Sequence, residues 1–211
     1  MAPRFFLLSP ASCAGLRARL LLREEARFDL ALRIRESGAP LGDVFAFLSG
    51  LYFRGKLLYA TRFARPAGDL PGTLVITPTH GLVPADAPVR LQDLRRFAEV
   101  DIHQDNPRYR KPLERDARRL RRIAGPEAEV VLLGSVATGK YVDLLLGIFG
   151  ARLLFPPSFV GRGDMSRGGL LLRGAREGKE LEYAPVAGAV RHGPRPPRLP
   201  RLPRSGARGS A

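Results

Sequence analysis

Val130-Val131-Leu132-Leu133-Gly134-Ser135-Val136-Ala137-Thr138-Gly139-Lys140-Tyr141 is the stretch whose reading decides the fold. A continuous apolar run, opened by Gly125-Pro126 and closed by Gly134, has the pattern of a strand covered on both faces. The glycine-punctuated polar segment after it is a turn, and Val142 to Phe149 then reads as a helix. Strand, glycine turn and helix in succession make one unit of a parallel sheet.

The same unit recurs in both directions along the chain. Phe5-Phe6-Leu7-Leu8 is a short strand stopped by Ser9-Pro10, and Leu16, Leu20, Ala26, Leu30 and Ile34 follow near helical spacing. Val44, Phe45, Leu48, Tyr52, Tyr59 and Phe63 predict one or two more helices despite Gly50 and Gly55. Leu74-Val75-Ile76 is a strand ended by Thr77-Pro78-Thr79-His80-Gly81. A helix over 108–123 places Leu113, Ala117, Leu120 and Ala124 on one face, with Arg115, Arg118, Arg119, Arg121 and Arg122 around it. Leu153-Leu154-Phe155 is a further strand, and 181–186 suits an edge strand. The expectation is an α/β fold, a mostly parallel sheet of about four to five strands with helices on both faces. One domain spans 1–190, and an Arg/Pro-rich tail over 191–211 is too poor in apolar residues to fold. In such sheets ligands gather at the carboxyl ends of the strands, so the turns at 9–15, 77–84, 134–141 and 161–167 are expected to converge on one edge.

Composition narrows the function classes. The chain has 211 residues, a formal net charge of +15 and a pI near 11.2, which favours polyanionic partners. The 35 basic residues include only four lysines, Lys56, Lys111, Lys140 and Lys179, an imbalance that a GC-rich genome produces without selection for binding. Six arginines lie in the tail from Arg191 onward, which carries no acid; the body remains basic without them. Cys13 is the only cysteine, so an internal disulfide and a cysteine-rich zinc site are both excluded. It allows either a reactive thiol near a helix start or a buried inert one. No apolar stretch reaches the roughly eighteen residues a membrane helix needs, and no signal peptide opens the chain, so a cytoplasmic protein without membrane partners is expected.

Three segments carry candidate chemistry. The turn at 134–140 resembles a phosphate-binding P-loop, but Tyr141 stands where that motif needs Ser or Thr to hold magnesium. What survives is an anion site built from Ser135, Thr138 and Lys140 at a helix start, or simple helix capping by Ser135 or Thr138. His80, in a turn after a strand, is the candidate for proton transfer because its ordinary pKa lies near neutrality. With His103 and His192 it forms no paired ligand spacing, so neither a metal nor another cofactor is implied. Gly161 to Arg173, GRGDMSRGGLLLR, reads as a glycine-rich turn in which Arg162 and Arg167 offer guanidinium forks to an anion while Asp164 positions one of them.

In order along the chain, Leu7-Leu8-Ser9-Pro10-Ala11, Leu51-Tyr52-Phe53-Arg54-Gly55-Lys56, His80-Gly81-Leu82-Val83-Pro84 with Pro88-Val89-Arg90-Leu91, and Arg162-Gly163-Asp164-Met165-Ser166-Arg167 resemble the bacterial peroxide-stress protein family. The likeness covers about residues 5–173 and includes the strand and turn from Val131 to Tyr141. The chain departs from the family pattern at Ser12, where the family has Lys, and at His80 and Val89, where it has Tyr. His-Gly-Leu-Val at the middle turn is similar to a related group known mainly as domains of unknown function. The resemblance implies a basic α/β domain of uracil-DNA-glycosylase-like architecture that binds DNA in oxidative-stress defence.

The leading expectation is therefore a nucleic-acid-binding protein in which Ser9, Arg54, Lys56, Thr138, Lys140, Arg162 and Arg167 contact phosphates. The rival is an enzyme that processes a nucleobase or a phosphate-bearing small molecule in the same cleft. There His80 is acid or base, Ser9 or Ser135 orients substrate and Asp164 positions an arginine. Partner capture by the Arg/Pro-rich tail is a third possibility.

Overall fold

Strand β1 (Arg4–Leu8) sits at the centre of the sheet, and its alternating side chains enter two separate cores. Phe6 and Leu8 join one apolar cluster and Phe5 and Leu7 the other, as the two-residue period of a strand requires. Four largely apolar strands in a row need covering on both sides, and the rest of the chain supplies that cover.

The computed structural model describes residues 1–197 and residue 199. After β1 come helices α1 (Leu16–Leu22) and α2 (Asp29–Glu36), the two-residue β2 (Ala39–Pro40), and helices α3 (Leu41–Ser49) and α4 (Leu51–Phe63). Strands β3 (Thr73–Thr77) and β4 (Gly81–Pro84) form a hairpin, and β5 (Pro88–Val89) pairs with β2 apart from the main sheet. Helices α5 (Leu91–Ala98) and α6 (Pro107–Ile123), strand β6 (Glu129–Leu133), helix α7 (Val142–Phe149), strand β7 (Leu153–Phe155), helix α8 (Asp164–Glu177) and strand β8 (Ala184–Pro185) complete the order.

The main sheet has six strands in the order β4-β3-β1-β6-β7-β8. Its inner four are parallel, and an antiparallel strand closes each edge. The strand number exceeds the four to five expected by β4, which falls within the turn expected at 77–84, whereas β8 lies within the edge strand expected over 181–186. Helices α6 and α7 bury Leu113, Leu120, Leu145 and Phe149 against Phe5 and Leu7. The helices α1 to α5 and α8 pack on the opposite face around Phe6, Leu8, Phe45, Phe53 and Leu171.

Chain direction at the sheet centre creates a crevice. From β1 the chain leaves to one side and returns as β3; from β6 it leaves through α7 to the other side and returns as β7. The loops after β1 and β6 therefore diverge, which is the condition for a ligand cleft at the carboxyl ends of neighbouring parallel strands.

Two sequence readings are corrected. The helical spacing over 16–34 is interrupted between α1 and α2, where Arg35 donates to the carbonyls of Arg23 and Ala26 and closes a turn. The glycine-rich segment read as a turn is helical from Asp164, because its glycines serve helix contact. A Cβ on Gly168 would stand 2.9 Å from Cα of Tyr52, and one on Gly174 would stand 3.1 Å from the Tyr59 ring, both on α4. Through this smooth face α8 lies directly on α4, the most extensive helix pairing in the molecule.

The C-terminal segment lies partly outside the described residues. As far as Pro197 it runs beside the body, with Arg191 paired to Asp143 at 2.9 Å and the Pro197 carbonyl accepting from Arg162. The remainder of the expected tail, residues 198 and 200–211, is outside the described residues. Among the described residues, no helix is long and apolar enough to cross a membrane.

Candidate functional site

Ser9 follows β1, and its N–H still donates to the Leu133 carbonyl of β6 at 3.1 Å, so the two strand ends are held in register up to the turn. Pro10 cannot extend the ladder. The side chain of Ser9 lies against Gly134, where a Cβ would stand 2.8 Å from Cβ of Ser9 and 2.7 Å from Oη of Tyr141. Only glycine permits this approach, and it opens a cavity of about 420 Å³ between the two loops and the α4–α8 pair.

The deep wall of the cavity comes from α4. Tyr52 and Lys56 are four residues apart, so both face the same way from the helix. Lys56 is 1% exposed, and its Nζ donates to the Ser9 carbonyl at 2.6 Å and to Ser9 Oγ at 2.9 Å. The Tyr52 and Phe53 rings each lie 4.6 Å from the amine. No carboxylate among the described residues comes within ion-pair distance of it. Burial pulls the amine down to about 7; the Asp164 charge opposes this effect and the Arg167 charge adds to it. A lysine so placed is partly neutral at physiological pH.

Tyr52 adds a second uncommitted group. Its buried hydroxyl lies near Arg167 but outside hydrogen-bonding geometry with any protein atom. Burial pushes its pKa upward, so it remains a protonated donor. A buried hydroxyl without a partner costs about 1–3 kcal/mol unless water or a ligand meets it.

The opposite wall is the loop after β6. Tyr141 is buried, and its hydroxyl donates to the Ser135 carbonyl at 3.0 Å, clasping the loop where a P-loop would hold a metal. Ser135 Oγ accepts weakly from the Ala137 N–H at 3.4 Å. Thr138 and Lys140 are exposed at the rim, and Asp164 faces them from the start of α8. Of the predicted residues, the fold brings Ser9, Lys56, Ser135, Thr138, Lys140 and Asp164 to this one cavity.

Four predicted residues go elsewhere. His80 lines a separate cavity of about 460 Å³ with Arg115, Asp116 and Arg119, so the expected convergence of all four turns is corrected to three. The β3–β4 hairpin is responsible: Thr77 Oγ1 accepts from the His80 N–H and donates to the Gly81 carbonyl, closing the turn on itself. His80 is held there by Thr79 Oγ1 at 2.7 Å and the edge-on Phe97 ring. Arg54, two residues before Lys56, is on the exposed side of α4, as a turn of about 100° per residue dictates. Arg162 directs its guanidinium to the Ser158 carbonyl, Ser166 Oγ and the Pro197 carbonyl. Arg167 is buried behind the cavity, donating to the Phe159 carbonyl at 3.2 Å with Asp164 3.6 Å away.

Tyr52 and Tyr141 were not among the predicted site residues. The four-residue spacing of Tyr52 and Lys56 on a predicted helix was the available signal. Tyr141 registered only as a departure from the P-loop motif. Among the described residues, no group of three or more His, Cys, Asp or Glu side chains is arranged to hold a metal ion.

Fold and cavity together define an α/β protein with a mostly parallel sheet and a polar pocket at the carboxyl ends of its two central strands. No family model, curated protein or solved structure matches the chain.

Proposed function

We propose that the chain is a cytoplasmic enzyme that binds a nucleotide or a similar phosphate-bearing nucleobase compound in the β1–β6 pocket and processes it there. The observation that carries this reading is a pair of buried polar groups on α4, neither of them met by a carboxylate. Lys56 has no carboxylate in ion-pair reach, the Tyr52 hydroxyl lies beside Arg167 outside good hydrogen-bonding geometry, and both residues line one cavity. A volume of about 420 Å³ falls within the range of small-molecule pockets. Lys140 and Thr138 at the rim suit a phosphate, and Lys56 takes over the proton-transfer role expected of His80. The nucleobase part of the proposal rests on the resemblance to the uracil-DNA-glycosylase-like architecture.

Titration calorimetry with nucleoside mono- and diphosphates, nucleosides and inorganic phosphate tests the assignment. Mononucleotide binding weakened about tenfold or more by Lys140→Ala is expected. Absence of mononucleotide binding at millimolar concentration overturns it.

A second reading is favoured by one observation on α6. Arg119, Arg121 and Arg122 are exposed and enter no ion pair among the described residues, leaving a basic helix face for a nucleic-acid backbone. DNA protection under oxidative stress would use that face. It predicts that Arg121→Ala/Arg122→Ala lowers the salt slope of oligonucleotide binding by about one unit per lost contact, with the pocket variants unaffected.

A further inference from the structure

We propose that Ser9 and Lys56 form a nucleophile–base pair that cleaves an acyl linkage, an ester or an activated amide, in the pocket's ligand. The proposal deepens the small-ligand reading above and rests on its choice of pocket, but not on the ligand being a nucleotide.

A serine hydroxyl is a weak nucleophile until a neighbouring base takes its proton, and the arrangement to look for is a hydroxyl and a base within hydrogen-bond reach, the base held by a third group. Ser9 Oγ and Lys56 Nζ are 2.9 Å apart, and the Ser9 carbonyl fixes the amine at 2.6 Å. In its neutral form the amine keeps one N–H on that carbonyl and turns its lone pair to the Ser9 hydroxyl. Burial and the Arg167 charge favour that form, against the pull of Asp164 and of two ring faces toward an ammonium. Two aromatic rings flank the nitrogen, and the charged or titratable groups around it are Asp164 and Arg167 of α8, Tyr52 on its own helix, Tyr141 across the cavity and Lys140 at the rim. Tyr52 lines the same cavity, and its hydroxyl is buried beside Arg167.

In the first step, Ser9 Oγ bonds to the carbonyl carbon while its proton passes to Lys56 Nζ. Collapse of the tetrahedral adduct breaks the bond to the leaving group, which takes the proton from the Lys56 ammonium. Water then attacks the acyl-serine, giving its proton to Lys56. The carboxylic acid departs and Ser9 regains its proton from the ammonium.

The test is covalent labelling of the intact chain with a fluorophosphonate, located by peptide mass spectrometry. One adduct on Ser9 is expected, absent from Ser9→Ala, slowed at least a hundredfold in Lys56→Met, and formed faster as pH rises through about 7 to a plateau. Lys56→Arg retains a hydrogen-bond donor toward Ser9 but is longer, stays protonated and cannot act as a base, so where circular dichroism shows it folded it should be unlabelled. The wild-type labelling site and pH profile decide the matter even where a Lys56 variant fails to fold. No adduct, an adduct on Ser12 or Ser135, or a rate independent of pH overturns the proposal. Protection of Ser9 by a mononucleotide supports both readings. Labelling of Ser9 with no mononucleotide binding removes the nucleotide assignment and leaves the pair standing, whereas mononucleotide binding without labelling does the reverse.

Discussion

Gly55 of α4 and Gly168 of α8 meet backbone to backbone, and a Cβ on Gly55 would stand 2.8 Å from the Gly168 carbonyl oxygen. That contact positions the cavity. It sets Lys56, one residue along α4, beside the start of α8, whose Asp164 and Arg167 charges then act on the amine.

Gly168→Ala is expected to destabilise the protein by about 1–3 kcal/mol, since the added methyl meets the α4 backbone at Leu51 and Tyr52, which can yield only by moving the helix. Gly147 is a matched control, exposed in α7 with open space where a Cβ would go. Gly147→Ala should stabilise by about 0.5–1 kcal/mol through helix propensity. Urea unfolding of the two variants gives the contrast; equal effects in the same direction would refute it.

The buried Lys56 imposes a pH dependence on stability. Unfolded, a lysine holds its proton up to about 10.5, whereas folded Lys56 releases it near 7. Between these values the unfolded chain binds more protons, so stability rises with pH, by up to about 1.4 kcal/mol per unit, and the penalty is fully present below about 7. Cys13, whose thiol is raised by burial, acts in the opposite sense above about 9. Subtracting the unfolding curve of Lys56→Met cancels Cys13 and should leave a difference that climbs from pH 7 to 10.

Two arginines of one motif should behave differently. Arg167→Ala removes a buried guanidinium and its bond to the Phe159 carbonyl, which keeps only the Arg162 N–H, for a loss of about 1–3 kcal/mol. Arg162 is less buried and its contacts are replaceable by water, so Arg162→Ala should cost below about 1 kcal/mol. Thermal unfolding of both variants checks the ranking. The Arg167 variant should also raise the pKa of Lys56, because a positive neighbour is gone.

Cys13 should be inert in the native state. It is buried, donates to the Ala11 carbonyl, and burial pushes its thiol up to about 12. Labelling with a thiol reagent at pH 8 is expected to follow global unfolding in denaturant. Rapid labelling without denaturant would contradict this.

The strands of the sheet centre were legible from local pattern because burial on both faces demands unbroken apolar runs, and Phe5 to Leu8 and Val130 to Leu133 have them. The helix read over 108–123 was equally legible from its apolar stripe, Leu113 to Leu120; the structure starts it at Pro107 with Asn106 as its cap. Gly161 to Arg173 was misread because a glycine has the same local signature whether it turns a chain or admits a neighbouring helix. Gly168 does the second, and α4, more than a hundred residues earlier, is what it admits.

Sequence alone determined the layered α/β class, the basic charge and the position of polar turns after the strands, since these follow from side-chain polarity and backbone preference read locally. Tertiary structure decided which turns share a pocket. Strand order set Ser9 beside Gly134, a hairpin carried His80 to another cavity, and helix crossing buried Lys56 without a counterion. Proton affinity and hydrogen-bond partnership depend on distances of a few ångströms between segments far apart in the chain, and only packing fixes those distances.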